Sequence, residues 1–201
     1  MRSIAIIYHS AQGHTALFGA YVAKGARSAP KVAVREIPVS EIGDPGQLLE
    51  YDGFIFGSPT YLGGVSGPFK SFMDTTGALW RSQAWRGRLA AGFTVSSLPS
   101  GDKQTTLLSM FVFAMQHGMI WIGNPFLPGT FAGEDAATAT NRLGSWSGAM
   151  AQSAHGTPAQ EAFTQGDLRA AEMFGRNFAD TLLGFSKDRW MARIPAGAQV
   201  G

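Results

Sequence analysis

The chain has 201 residues and a mass of 21.4 kDa, 45% of them hydrophobic and 15% charged, enough apolar material for the core of one domain. It has no cysteine, which excludes disulfides, thiolate metal sites, iron–sulfur ligation and cysteine nucleophiles together, so redox chemistry would require a bound organic cofactor. The net charge of +2 comes from dispersed Lys and Arg without a basic run, and the histidines, His9, His14, His117 and His155, form no i,i+4 pair; neither nucleic acid nor metal is an expected ligand.

The first element is a short apolar strand, Ile4 to Tyr8, too short for the hydrophobic region of a secretory signal. No later apolar run reaches membrane-spanning length, so the expectation is a soluble, cytoplasmic protein without a membrane span. Directly behind the strand lies "SAQGHT", and helical spacing begins at Thr15 and runs to Arg27. Ser10 and Thr15 bring hydroxyls, Gly13 permits positive φ, and the amides around His14 to Ala16 open a helix. A helix start holds a phosphate without Lys or Arg, and the absence of both Gly-Lys-Ser/Thr and GxGxxG points to a monophosphate. A plain βα turn with Thr15 as a cap is the competing reading.

Strand-like runs follow at Val32 to Ile37 and Phe54 to Gly57, with a short helical segment at Gln47 to Glu50 between them. The third strand exits into "GSPTYLGGVSGPFKSFMD". There Pro59 stiffens the chain, Thr60 can hydrogen-bond a ring edge, Tyr61 can stack, and Gly63, Gly64 and Gly67 allow close backbone approach, a set suited to a flat heteroaromatic ring. A helix from Pro68 to Leu79, a strand from Leu89 to Ser96, a helix from Thr105 to Gln116 and a strand from Met119 to Ile122 come next. Phe126 to Thr157 reads as an extended loop, with Trp146 as a candidate subunit contact. Ala159 to Leu183 reads as the last helix, and Gly184 to Gly201 as a weakly ordered tail.

Continuous apolar strands separated by helices specify a parallel sheet covered on both faces. Five of them fit an α/β, flavodoxin-like doubly wound sheet of order 2-1-3-4-5, whose ligand sits beyond the carboxyl ends of the strands. The loops after strands one, three and four therefore carry the candidate site.

The combination of "SAQGHT", "SPTYLGGVSGPFKSFMDTTGALW" and "MQHGM" resembles the WrbA family of FMN-dependent NAD(P)H:quinone oxidoreductases, flavodoxin-like proteins that commonly form tetramers. The likeness covers about Ile4 to Ile122. It implies one FMN-binding domain over residues 1–184, NADH or NADPH as donor, a quinone as acceptor and a homotetramer. It assigns Ser10, Ala11, Gln12, Gly13, His14 and Thr15 to the FMN phosphate. Pro59, Thr60, Tyr61, Leu62 and Gly63 fall to cofactor binding, the first three of them at the isoalloxazine ring. Ser96, Ser97, Leu98, Pro99, Ser100 and Gly101 fall to its other side and the ribityl chain. His117 matches a family histidine near the flavin and Trp80 a tryptophan lining the quinone pocket; His117 could donate a hydrogen bond to a quinone oxygen. As plain structure, Trp80 would be a core anchor and His117 a helix C-terminal residue favoured by the dipole. Two departures stand out: Gln12 occupies a place where relatives often carry an aromatic, and "SSLPSGDKQT" stands where they carry a Gly-rich loop. The other function classes are a flavodoxin-type one-electron carrier, which is generally acidic, and a non-catalytic FMN-binding regulatory protein.

Overall fold

A computed structural model of the chain describes residues 1–192. In chain order the elements are β1 (Arg2–Tyr8), α1 (His14–Arg27), β2 (Val32–Pro38), β3 (Gly53–Tyr61), β4 (Gly64–Val65), α2 (Gly67–Thr75), α3 (Gly77–Arg81), β5 (Leu89–Ser96), α4 (Lys103–Gln116), β6 (Ile120–Trp121), β7 (Ala149–Gln152), α5 (Gln165–Gly184) and α6 (Lys187–Met191). The parallel strands lie in the order β2-β1-β3-β5-β6, the doubly wound arrangement expected.

Alternation along β1 shows why both faces are covered. Ile4 and Ile6 enter one core with α1 and α5, through Phe18, Val22, Phe174 and Phe178, while Ala5 and Ile7 enter the other with Phe69, Phe72, Trp85 and Met110. Each face buries its half of the strand, so the sequence reads as one unbroken apolar run. Phe93 of β5 lies across the backbone of its neighbour: a Cβ on Gly57 would stand 2.1 Å from its ring, so only glycine leaves it room there. On the first face α1 and α5 meet backbone to backbone, since a Cβ on Gly25 would lie 1.8 Å from the Glu172 carbonyl oxygen and one on Gly175 1.9 Å from that of Val22.

The fifth sheet position departs from the expectation. β6 pairs only with Leu89 and Ala90, and the upper half of β5, Phe93 to Ser96, pairs with β7. The span 126–157, expected as a loop, thus contains a strand that completes the sheet edge above the shorter β6. Between them the chain leaves the sheet and returns through a narrow neck, where the Asn124 amide donates to the Trp146 carbonyl at 2.9 Å and Asn124 Nδ2 donates to the Ser145 carbonyl at 2.9 Å. Arg142 in this excursion grips the buried Asp167 near the start of α5, at 3.0 and 2.9 Å.

Smaller differences have local causes. The helix expected from Pro68 to Leu79 breaks at Thr76, whose hydroxyl donates to the Met73 carbonyl at 2.7 Å, giving α2 and α3. The last helix begins at Gln165, not Ala159, because Thr164 caps it by accepting from the Asp167 amide. Of the segment expected as a weakly ordered tail, Lys187–Met191 forms α6, and residues 193–201 lie outside the described residues. Among the described residues no helix is long and apolar enough to cross a membrane.

Candidate functional site

Three βα loops and the end of β7 meet at the carboxyl edge of the sheet. The register Tyr8↔Gly57, Gly57↔Phe93 and Ser96↔Gln152 brings the strand ends level, and a cavity of about 140 Å³ opens between them. The first loop lines it with Ser10, Ala11, Gln12, His14 and Thr15. Gly13, at φ 85°, is the residue before α1, so the helix begins on glycine and the Thr15 cap is not formed. The first helical bond runs from the Leu17 amide to the Gly13 carbonyl, which leaves the amides of His14, Thr15 and Ala16 without intrahelical acceptors. Among the described residues Ser10 Oγ is buried with no hydrogen-bond partner. A buried hydroxyl costs stability unless something accepts from it. An anion at this helix start would satisfy the hydroxyl and the amides together, and among the described residues no carboxylate lines the cavity to repel it. The donor set therefore fits a phosphomonoester such as that of FMN. His14 is held aside, its Nε2 3.0 Å from the Thr157 carbonyl oxygen.

The end of β3 contributes Pro59, Thr60 and Tyr61. Thr94 Oγ1 donates to the Ser58 carbonyl at 2.7 Å, so its proton is committed. The 2.8 Å contact between Thr60 and Thr94 must then use the proton of Thr60, and the 2.8 Å contact from Thr106 must use that of Thr106. Thr60 therefore donates into the protein, and the hydrogen bond to a ring edge that its sequence position suggested can be made from the cavity side only with Thr60 as acceptor. Tyr61 is half-exposed at the rim, while Leu62 and Gly63, both at positive φ, form the tight turn into β4. Leu62 points to solvent.

From the third loop only Ser96 and Ser97 line the cavity. Leu98, Pro99, Ser100 and Gly101 curl away from it around the Lys103 ammonium, which donates to Ser96 Oγ at 2.9 Å, the Leu98 carbonyl at 2.6 Å and the Pro99 carbonyl at 2.9 Å. Val95 and Ser153 also line the cavity. Sequence reasoning missed Ser153 because β7, which delivers it, is a four-residue stretch with no β-branched residue. Lys103 did carry a signal: a cation in a first helical turn opposes the helix dipole.

Trp80 and His117 lie elsewhere. They line a groove of about 710 Å³ between α2–α3 and α4, together with Met73, Leu108 and Val112. Thr105 marks the end of this groove near the cavity, its hydroxyl 2.5 Å from the carbonyl oxygens of both Gly63 and Asp102. His117 is twelve residues further on, about 18 Å along the helix at 1.5 Å per residue. Trp80 is 47% exposed, and so is not the core anchor of the structural reading. His117 is 2% exposed, beneath the groove, with its ring 4.6 Å from that of Trp85 and 4.7 Å from that of Phe113. Since Thr76 has spent its proton on Met73, the 3.0 Å contact with His117 must use an imidazole Nε2–H. That N–H is unavailable to a quinone, and the buried Nδ1 is a bare acceptor without a partner. Burial pushes the imidazole down to about 4, so the ring is neutral near pH 7 and gains nothing from the helix dipole.

Strand order, a cavity at the carboxyl edge and a cation-free phosphate cradle together define a flavodoxin-like flavoprotein. A family profile described as NADPH-dependent FMN reductase matches residues 46–133. The chain is 34% identical to an NAD(P)H dehydrogenase (quinone) of Archaeoglobus fulgidus, over 90% of this chain and 97% of that one. It is 33% identical to flavodoxin FldP of Pseudomonas aeruginosa, over 89% and 96%. The crystal structure of a WrbA-like flavodoxin from Agrobacterium tumefaciens superposes with a TM-score of 0.70 at 28% identity, over 92% of this chain and all of that one. The chain belongs to the WrbA family of flavodoxin-like NAD(P)H:quinone oxidoreductases.

Proposed function

We propose that the protein binds FMN at the carboxyl edge of its sheet and catalyses two-electron reduction of quinones by NADH or NADPH in a ping-pong cycle. The observation that carries the reading is the buried, unpartnered Ser10 hydroxyl beside three free helix amides, a set of donors in want of an anion. Bound FMN supplies the hydride-accepting and hydride-donating chemistry. The chain's own residues divide the remaining work. Ser10 to Thr15 hold the phosphate, Pro59 to Tyr61 and Ser96 to Ser97 flank the ring, and the directed hydroxyl chain fixes Thr60. In balance, one hydride from NAD(P)H and one proton from solvent convert the quinone to its quinol and leave NAD(P)⁺.

Trp80 offers an aromatic wall to a flat acceptor in the groove whose floor includes His117. The separation of about 18 Å along α4 keeps His117 from the cavity of its own chain, and Gln83, which donates to the carbonyls of both Trp80 and Gln116, ties Trp80 to the same end, so we place both at the cavity of a neighbouring copy in a homotetramer. The relative named flavodoxin FldP favours a second reading, a one-electron carrier.

Anaerobic titration and steady-state kinetics separate the two. The oxidoreductase reading expects bound FMN to bleach with NADH or NADPH, and parallel double-reciprocal lines against nicotinamide at several fixed quinone concentrations. An unreactive bound FMN would support the carrier or the regulatory protein, and stoichiometric one-electron product by electron paramagnetic resonance the carrier; intersecting lines would exclude the ping-pong route.

A further inference from the structure

Lys103 is a buried cation with no carboxylate in contact among the described residues. It is 1% exposed, at the first position of α4, where the helix dipole opposes a positive charge. All three of its protons are used, on Ser96 Oγ and on the carbonyls of Leu98 and Pro99, so the chain from 96 to 102 is wrapped around one ammonium. The wrapping is tight enough to put Gly101 and Asp102 at φ 54° and 52°, and a Cβ on Gly101 would stand 2.2 Å from Ser96 Oγ. A buried charge at the unfavourable end of a helix lowers stability. Its position, one hydrogen bond behind Ser96, is at the wall of a cavity that no Lys or Arg lines.

We propose that Lys103 is a positioning residue of the cofactor site: its ammonium moulds the β5–α4 loop into the shape that presents Ser96 and Ser97, and supplies the positive charge that the phosphate cradle lacks. The proposal rests on the FMN reading above and adds to it a residue that lies outside the cavity lining. The charged groups facing Lys103 are Arg142 of the excursion, which repels it, and Asp167 of α5, which attracts it; these two pair with each other, and Asp102 precedes Lys103 in the chain. Burial, with the Arg142 repulsion added, brings the ammonium down to about 8. The neutral amine has two protons for three acceptors and no charge, so an anionic ligand binds the protonated form more tightly. Affinity for FMN is then complete below about pH 8 and declines above it.

The test measures FMN and riboflavin dissociation constants by flavin fluorescence quenching on the full chain, wild type and Lys103→Met, from pH 7 to pH 9.5. In the wild type the FMN constant rises roughly tenfold across this range and the preference for FMN over riboflavin narrows. Lys103→Met binds FMN about tenfold more weakly at pH 7, with a constant that stays flat within about twofold. Its melting temperature falls as well, because Ser96 and the Leu98 and Pro99 carbonyls lose their donor; the loss of pH dependence, which a merely structural lysine would not produce, is what separates the two roles. Tight FMN binding with the same constant and pH profile in both proteins would overturn the role of Lys103 and leave the FMN reading intact. Absence of FMN binding by the wild type at pH 7 would sink that reading itself. Should the variant not fold, the wild-type ratio of riboflavin to FMN constants decides alone: a ratio independent of pH refutes the proposal.

Discussion

At the scale of single residues, hydroxyl and imidazole protons decide what the site can do. Thr60 and His117 each have their only N–H or O–H directed into the protein, to Thr94 and Thr76, so both position neighbours and neither donates to a ligand. His117 makes a pH-dependent contribution whose sign follows from its burial. The folded chain favours the neutral ring, so its stabilisation is complete above the ordinary value of 6.5 and is lost as pH falls toward 4. In urea denaturation, the stability difference between the wild type and His117→Gln should shrink by about 3 kcal/mol from pH 7 to below pH 4. A difference constant over that range would show that burial does not set the protonation of this ring. The sequence made Ser10 to Thr15 legible because strand, turn and helix start are contiguous there. It concealed the directions of the Thr60 and His117 protons, since these depend on Thr94 and Thr76, which are distant in the chain.

At the scale of elements, the contact between α1 and α5 is set by glycine. Gly25 and Gly175 let the two helices approach until carbonyl oxygens occupy the space of absent side chains. Gly175→Ala therefore forces the helices apart despite the better helix propensity of alanine, worth about 1 kcal/mol. The expected net loss is about 3 kcal/mol, a drop in Tm of roughly 6–12 °C for a chain of this size. An unchanged Tm would mean that the pair can separate without cost. Long elements with strong periodicity, such as β1, α1 and α4, were readable within a residue or two. β7 was not: "AMAQ" has too little β-branched or aromatic character to stand out, and its pairing with Phe93 to Ser96 is a long-range contact. The division between α2 and α3 was hidden for a similar reason, as Thr76 is an ordinary residue until its hydroxyl finds Met73.

At the scale of the whole molecule, the exposed face of α4 presents Leu108, Val112 and Met115 at helical spacing, and Trp80 stands across the groove from them. A contiguous apolar strip of this kind beside Trp80 is the contact we expect between copies. Light scattering at micromolar concentration should return a tetramer for the wild type and a smaller species for Val112→Glu, which should keep FMN binding but lose kcat/KM for quinone. A monomeric wild type would remove the shared-site scheme. The neck at Asn124 and Trp146 has a consequence of another kind. A segment that departs from one line of a sheet and comes back to that same line changes no strand's neighbours and adds no crossover. The stretch between β6 and β7 is thus topologically silent. Between the neck and the Arg142–Asp167 pair that fixes it to α5, its length can change without disturbing the strand order, while its return strand delivers Ser153 to the cavity.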